Sequence, residues 1–183
     1  MGFFSFLNIF SSSSKETESS QQEKEQIVLP GTQLFFDALL IKNLKDDHQT
    51  LLSLYGEMAQ ALSDNDHKTL VGLFTKFSAE LRSHLLTENL KLYIYLSHAM
   101  VADTESLAII TDLRSEMQQI GRVVNNFLIR YSELPWSEEQ VHSFPSEFEK
   151  IGEVLVDRIK REEATLYPLY MHPDAYLKVE DMQ

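Results

Sequence analysis

Five polar side chains interrupt the apolar helical faces of this chain: His48, His84, Glu88, Arg158 and Glu162. His84 and Glu88 are four residues apart, as are Arg158 and Glu162, so each pair projects from one side of its helix. A polar group at a core-facing position costs free energy unless it is paired or bound to something. One inward histidine is ordinarily a satisfied core residue. Two imidazoles and two carboxylates spread over three helices form a donor set that suits iron, manganese or zinc, and helix bundles build metal sites from such inward residues. His48, His84, Glu88 and Glu162 would complete one mononuclear site, and the two carboxylates would offset most of a divalent charge. Arg158 offers a competing arrangement. Its guanidinium can neutralise Glu88 or Glu162 through bidentate hydrogen bonds with no metal present, and it repels a cation placed beside it. From the residues alone both arrangements stand.

The elements that must position this set are read from apolar spacings of three and four, which begin at Leu29. Pro30-Gly31 marks a boundary and Thr32 to Ile41 is a short apolar lead-in. The first long helix is expected from about Leu44 to Leu62, with Leu44, His48, Leu51 and Tyr55 inward. Ser63 to Asp66 breaks it and supplies N-cap candidates. A second helix is expected over His67 to Met100, a third over Glu105 to Tyr131. The fourth should start near Pro145 and run to about Tyr167, where Pro168 closes it. Short connections between four amphipathic helices favour an up-down-up-down four-helix bundle, so the fold class is all-α. His67, His98, His142 and His172 fall near helix ends or away from the polar layer and read as ordinary residues.

Composition narrows the function classes. The chain has 183 residues, 43% hydrophobic and 24% charged, which allows one cored domain and a tail. Cysteine is absent, so no disulfide or thiolate site forms and a reducing, cytoplasmic setting is expected. A net charge of -12 repels nucleic-acid phosphates but leaves a basic protein partner open. No nucleophile–base pair and no phosphate cradle is recognisable, so an enzyme is not expected. Residues 1–28 read as a flexible tail and 29–183 as the bundle. Met1 to Phe10 is apolar but far below the ~20 residues of a membrane span. It has no basic n-region, and Phe6 stands where a myristoylation motif wants Ser or Thr. That segment is a frayed end or a weak membrane or partner contact. Ser11 to Gln26, almost without apolar residues, reads as a linker.

At the residues of the polar layer the sequence resembles the hemerythrin-like (HHE cation-binding) family, over about Leu44 to Tyr170. Asp46-Asp47-His48-Gln49 resembles that family's helix-opening ligand, and His84-Leu-Leu-Thr-Glu88 its His-xxx-Glu element. Arg158-Ile-Lys-Arg-Glu162-Glu163-Ala-Thr-Leu-Tyr-Pro168 resembles its closing helix, with Arg158 where that family has histidine. Met117, after Arg114-Ser-Glu116, stands in place of a third-helix histidine. The resemblance implies a di-iron bundle that binds oxygen or senses redox or iron state. This chain keeps one iron's histidines (His48, His84) and both bridging carboxylates (Glu88, Glu162), and lacks the other iron's set. The implied function is metal (iron) binding or sensing at a partial, mononuclear or vestigial site. Phe77 to Leu96 and Ile151 to Leu169 also faintly resemble helices of the regulator-of-sigma-D family, which implies instead a metal-free regulatory module that binds a protein.

Overall fold

The computed structural model describes residues 27–180, so the expected tail over Met1 to Phe10 and the linker over Ser11 to Gln26 lie outside the described residues. The apolar lead-in forms a tight turn around Gly31, whose φ of 72° is cheap only for a residue without a Cβ. An isolated antiparallel bridge between Val28 and Phe35 closes it. Helix α1 covers Leu40–Ser63, one turn earlier than the apolar stripe suggested. Asn65, in the left-handed region at φ 54°, reverses the chain. Asp66 then caps α2, His67–Thr87, by accepting from the Thr69 N–H.

The expected second helix is not one uniform α-helix. After Thr87 the backbone widens into a π turn, Glu88–Leu92, before α3, Tyr93–Ala99. Helix α4, Thr104–Arg130, is capped by Asp103 through the Ser106 N–H. Helix α5, Glu138–Arg161, begins before Pro145 rather than beside it, because Ser137 and Gln140 form a reciprocal capping box that nucleates the helix earlier. Pro145 is therefore inside α5. This helix also ends in a π turn, Glu162–Leu166, followed by a 3-10 turn at Tyr167–Leu169 and a short α6, Pro173–Glu180. The architecture is the all-α bundle expected from the pattern.

Two apolar clusters fill the bundle. One holds Leu51, Leu54, Met58, Leu70, Phe77, Leu81, Val124, Phe144, Phe148 and Leu155. The other holds Leu40, Leu44, Leu92, Tyr93, Tyr95, Leu96, Ile110, Leu113, Leu166 and Tyr167. On α1 the break between them falls at His48, on the α2–α3 rod at His84 and Glu88, and on α5 at Arg158 and Glu162. On α4 the residue at that break is Met117, buried and apolar. The five buried charged or imidazole residues thus form one layer across the bundle, fed by three helices of four.

Candidate metal centre

The layer is dry by position. His48, His84, Glu88, Arg158 and Glu162 are each no more than 2% exposed. The first donor comes from α1, whose stripe carries His48 inward between Leu44 and Leu51. Its Nδ1 lies 2.9 Å from Glu163 Oε1, and a carboxylate only accepts, so the ring proton sits on Nδ1. Nε2 is thereby left facing the interior, 3.2 Å from Glu162 Oε2. His84, from the last turn of α2, repeats the scheme more loosely. Its Nδ1 lies 3.5 Å from Asp47 Oδ2, too poorly aligned for a hydrogen bond, and its Nε2 lies 3.9 Å from Glu88 Oε2. The two imidazole centroids are 4.7 Å apart.

Arg158 commits to one carboxylate rather than to both. Its Nε donates to Glu162 Oε1 at 2.6 Å, its Nη2 donates to the Tyr93 hydroxyl at 2.6 Å, and its Nη1 reaches Glu116 Oε2 at 3.4 Å. Glu116 in turn accepts from Arg161 at 2.7 Å, so α4 and α5 are tied at this level by a partly exposed ion-pair cluster. Glu88 is held by a different group, the Tyr167 hydroxyl, which donates to Glu88 Oε1 at 3.0 Å and lies 3.3 Å from His48 Nε2. Three buried atoms are left without a hydrogen bond among the described residues: His84 Nδ1, Glu88 Oε2 and Glu162 Oε2. A buried carboxylate oxygen with no donor costs roughly 1–3 kcal/mol or more.

The electrostatics split the two carboxylates. Burial, and then the charge of Glu162, pushes the Glu88 carboxyl well above the usual carboxylate range, which favours its protonated form. Burial also acts to raise Glu162, but the hydrogen bond from His48 and the Arg158 charge outweigh it and bring it below the usual range. His48 is raised: burial opposes its charged form, yet the hydrogen bonds to Glu162 and Glu163 prevail. His84 is lowered by burial and by the neighbouring His48 charge. Burial and Glu88 push both the Tyr93 and Tyr167 phenols up, so each keeps its proton. The layer therefore favours the charged form of His48, between Glu162 and Glu163, and the uncharged forms of His84 and Glu88.

One donor atom each from His48, His84 and Glu162 lies within 4.8 Å of the others, all three residues buried. The donor chemistry fits a borderline transition-metal cation. Glu162 offers an oxygen that His48 Nε2 approaches, and Glu163 holds the His48 Nδ1 so as to orient Nε2 toward a metal, with Asp47 standing 3.5 Å behind His84 Nδ1.

A family model for the hemerythrin HHE cation-binding domain matches residues 39–170. The chain belongs to this family. Searches among curated proteins and among solved structures return no match. The family is described as cation-binding, and His48, His84 and Glu162 form the group in this chain's core that could hold a cation.

Of the four residues singled out from the sequence as ligands, the structure brings His48, His84 and Glu162 together. Glu88 shares the layer, but it falls outside that group of donors and is tied to Tyr167. His67 stacks on Trp136 at 4.6 Å and His172 lies edge-on to Phe36, both away from the layer. Sequence reasoning missed the roles of Asp47, Glu163, Tyr93, Tyr167 and Glu116. A signal was available for the tyrosines, because His84-xxx-Glu88-xxx-Leu92-Tyr93 and Arg158-xxx-Glu162-xxx-Leu166-Tyr167 are the same pattern. Adjacent Leu and Tyr that both face inward, four and five residues after an inward Glu, require an extra residue in the turn, and a π turn supplies it.

A small apolar cavity of about 30 Å³ adjoins the layer, between Leu51, Leu81, Met117, Gly121, Gly152 and Leu155. Met117 thus presents apolar surface to the site on the one helix that contributes no donor.

Proposed function

We propose that this chain binds a single iron ion through His48, His84 and Glu162, with Glu88 in the same buried layer but outside the donor group, and serves as a metal-binding or sensing protein. The observation that supports the reading most is the meeting of three buried donors, with Glu162 Oε2 approached by His48 Nε2 at 3.2 Å. When bound, iron supplies redox and small-ligand chemistry. The chain's own residues do the rest. Glu163 and Asp47 stand behind the two imidazoles and direct their Nε2 atoms inward. Glu162 gives one oxygen to Arg158 and leaves the other toward the histidines. Arg158 places a permanent positive charge against Glu162 Oε1, so Glu162 stays ionised and turns its other oxygen to the cation. Tyr167 holds Glu88, and the apolar clusters on both sides exclude water.

The proton on His48 must leave before its Nε2 can act as a donor, so metal uptake is coupled to proton release. The test is metal content of full-length protein purified under iron supplementation, in parallel with His84→Ala. Stoichiometric iron that is lost in the variant is expected. Trace metal unchanged by the substitution overturns the reading.

A second reading is supported by Arg158. Its guanidinium already gives Glu162 a buried counter-charge without a cation, as a metal-free regulatory module that binds a protein would need. Stable, cooperative folding of iron-free protein together with trace metal in the native preparation would favour it.

A further inference from the structure

The groove between α2 and α4 carries chemistry that the core site does not use. It encloses about 460 Å³, within the size range of small-molecule sites. Its floor is apolar, with Leu81, Leu85, Met117 and Leu128. Its rim carries Arg82 and Arg122, with the amides of Gln118, Asn125 and Asn126, and no carboxylate lines it. That is unusual for a chain with 28 acidic and 16 basic residues.

The arginines are the deciding feature. Arg130, Arg158 and Arg161 each pair with a carboxylate. Arg114 donates to Asn89 and lies over the Tyr93 ring. Arg82 and Arg122 make no ion pair and no side-chain hydrogen bond among the described residues, although acidic groups outnumber basic ones across the molecule. Two uncommitted guanidiniums on facing helices, above an apolar floor and beside three amide donors, match an anion that has an apolar body.

We propose that this groove binds a small organic phosphate. Planar guanidinium forks meet phosphate oxygens bidentately, the side-chain amides supply further donors, and the organic part covers Leu81, Leu85 and Met117. Two guanidinium charges match a phosphate monoester dianion. The groove shares Leu81, Leu85, Met117 and Gly121 with the small cavity beside the histidines, so the bound molecule would lie one side-chain layer from the core site. The proposal does not depend on metal binding and is tested on metal-free protein.

The experiment is calorimetric titration of the full chain with phenyl phosphate, with inorganic phosphate and benzyl alcohol as probes lacking the ring or the charge. Saturable binding of phenyl phosphate is expected, weaker by about tenfold or more in an Arg82→Gln/Arg122→Gln double variant, and weaker or absent for the two partial probes. Both arginines are exposed, so the variant should fold, and its circular dichroism and melting curve verify that. No saturable binding to the parent, or equal affinity in a folded double variant, overturns the site. Inorganic phosphate binding as tightly as phenyl phosphate overturns the organic-ligand assignment.

Discussion

The α2–α3 rod and the end of α5 each place a basic residue, a glutamate one turn later at the first position of a π turn, and then an inward Leu-Tyr pair. The two arms are crossed by their tyrosines. Tyr93 of the first arm accepts from Arg158 of the second, and Tyr167 of the second donates to Glu88 of the first. What separates the arms is a single residue type, His84 against Arg158. An imidazole kept neutral by burial gives its glutamate no counter-charge, and Glu88 is pushed toward the protonated form. A guanidinium cannot lose its charge, and Glu162 stays ionised. Two equivalent backbone frames thus hold one neutral and one charged carboxyl, and the polar layer becomes asymmetric.

The largest effect should come from removing that asymmetry at its source. Arg158→Leu leaves Glu162 buried without its cation and should cost roughly 3–5 kcal/mol in urea unfolding of the metal-free protein. A loss well under 1 kcal/mol would mean that His48 alone balances Glu162. Next in size is the orientation of the imidazoles. Asp47→Asn and Glu163→Gln should each weaken metal affinity on the order of 10–100-fold, measured by competition with a chelator. Glu163→Gln should be the more severe, because its contact to His48 is 2.9 Å against 3.5 Å for Asp47 to His84. Equal, negligible effects would show that neither acid positions its histidine.

The arms should also differ in the sign of their pH dependence in metal-free protein. Glu88 is raised in the folded state, so its contribution is complete below the ordinary carboxylate range and is lost as pH rises through its folded value. Glu162 is lowered, so its contribution is present above the ordinary range and is lost as pH falls through its folded value. Glu88→Gln should therefore flatten the decline of stability on the rising-pH side, above the ordinary carboxylate range, whereas Glu162→Gln should alter the acid side. Urea midpoints across that range read both, and an unchanged slope in Glu88→Gln would contradict a neutral Glu88. The smallest effects belong to the crossing tyrosines. Tyr167→Phe removes the one side-chain hydrogen bond that Glu88 accepts among the described residues and should cost about 1–2 kcal/mol. Tyr93→Phe should cost less, since Arg158 keeps Glu162 and Glu116. The reverse order would place the more demanding group on the Arg158 arm.

Much of the bundle was legible in the chain, because apolar residues at spacings of three and four can be buried only on one face of a helix. The inward positions of His48, His84, Glu88, Arg158 and Glu162 followed from that spacing, and all five are buried. The early start of α5 was hidden behind Pro145, a residue that ordinarily marks a helix end, whereas the capping pair Ser137 and Gln140 was the stronger local signal. The π turns were invisible to a count that assumes one helical period throughout, although the repeated Glu-xxx-Leu-Tyr carried their imprint.

By itself, then, the sequence determined an all-α bundle with a buried layer of five polar residues, since residue type and helical phase are local properties. The partner of each donor was decided only in the tertiary structure. The i,i+4 spacing favoured Arg158 with Glu162, but whether Arg158 also reached Glu88 on the neighbouring helix could not be read from one helix's spacing. The widened turns set the reach of each side chain, and so joined Arg158 to Glu162 and Tyr93, left Glu88 to Tyr167, and drew His48, His84 and Glu162 into one group. Pairing in a buried layer depends on distances between helices, and those exist only once the helices have packed.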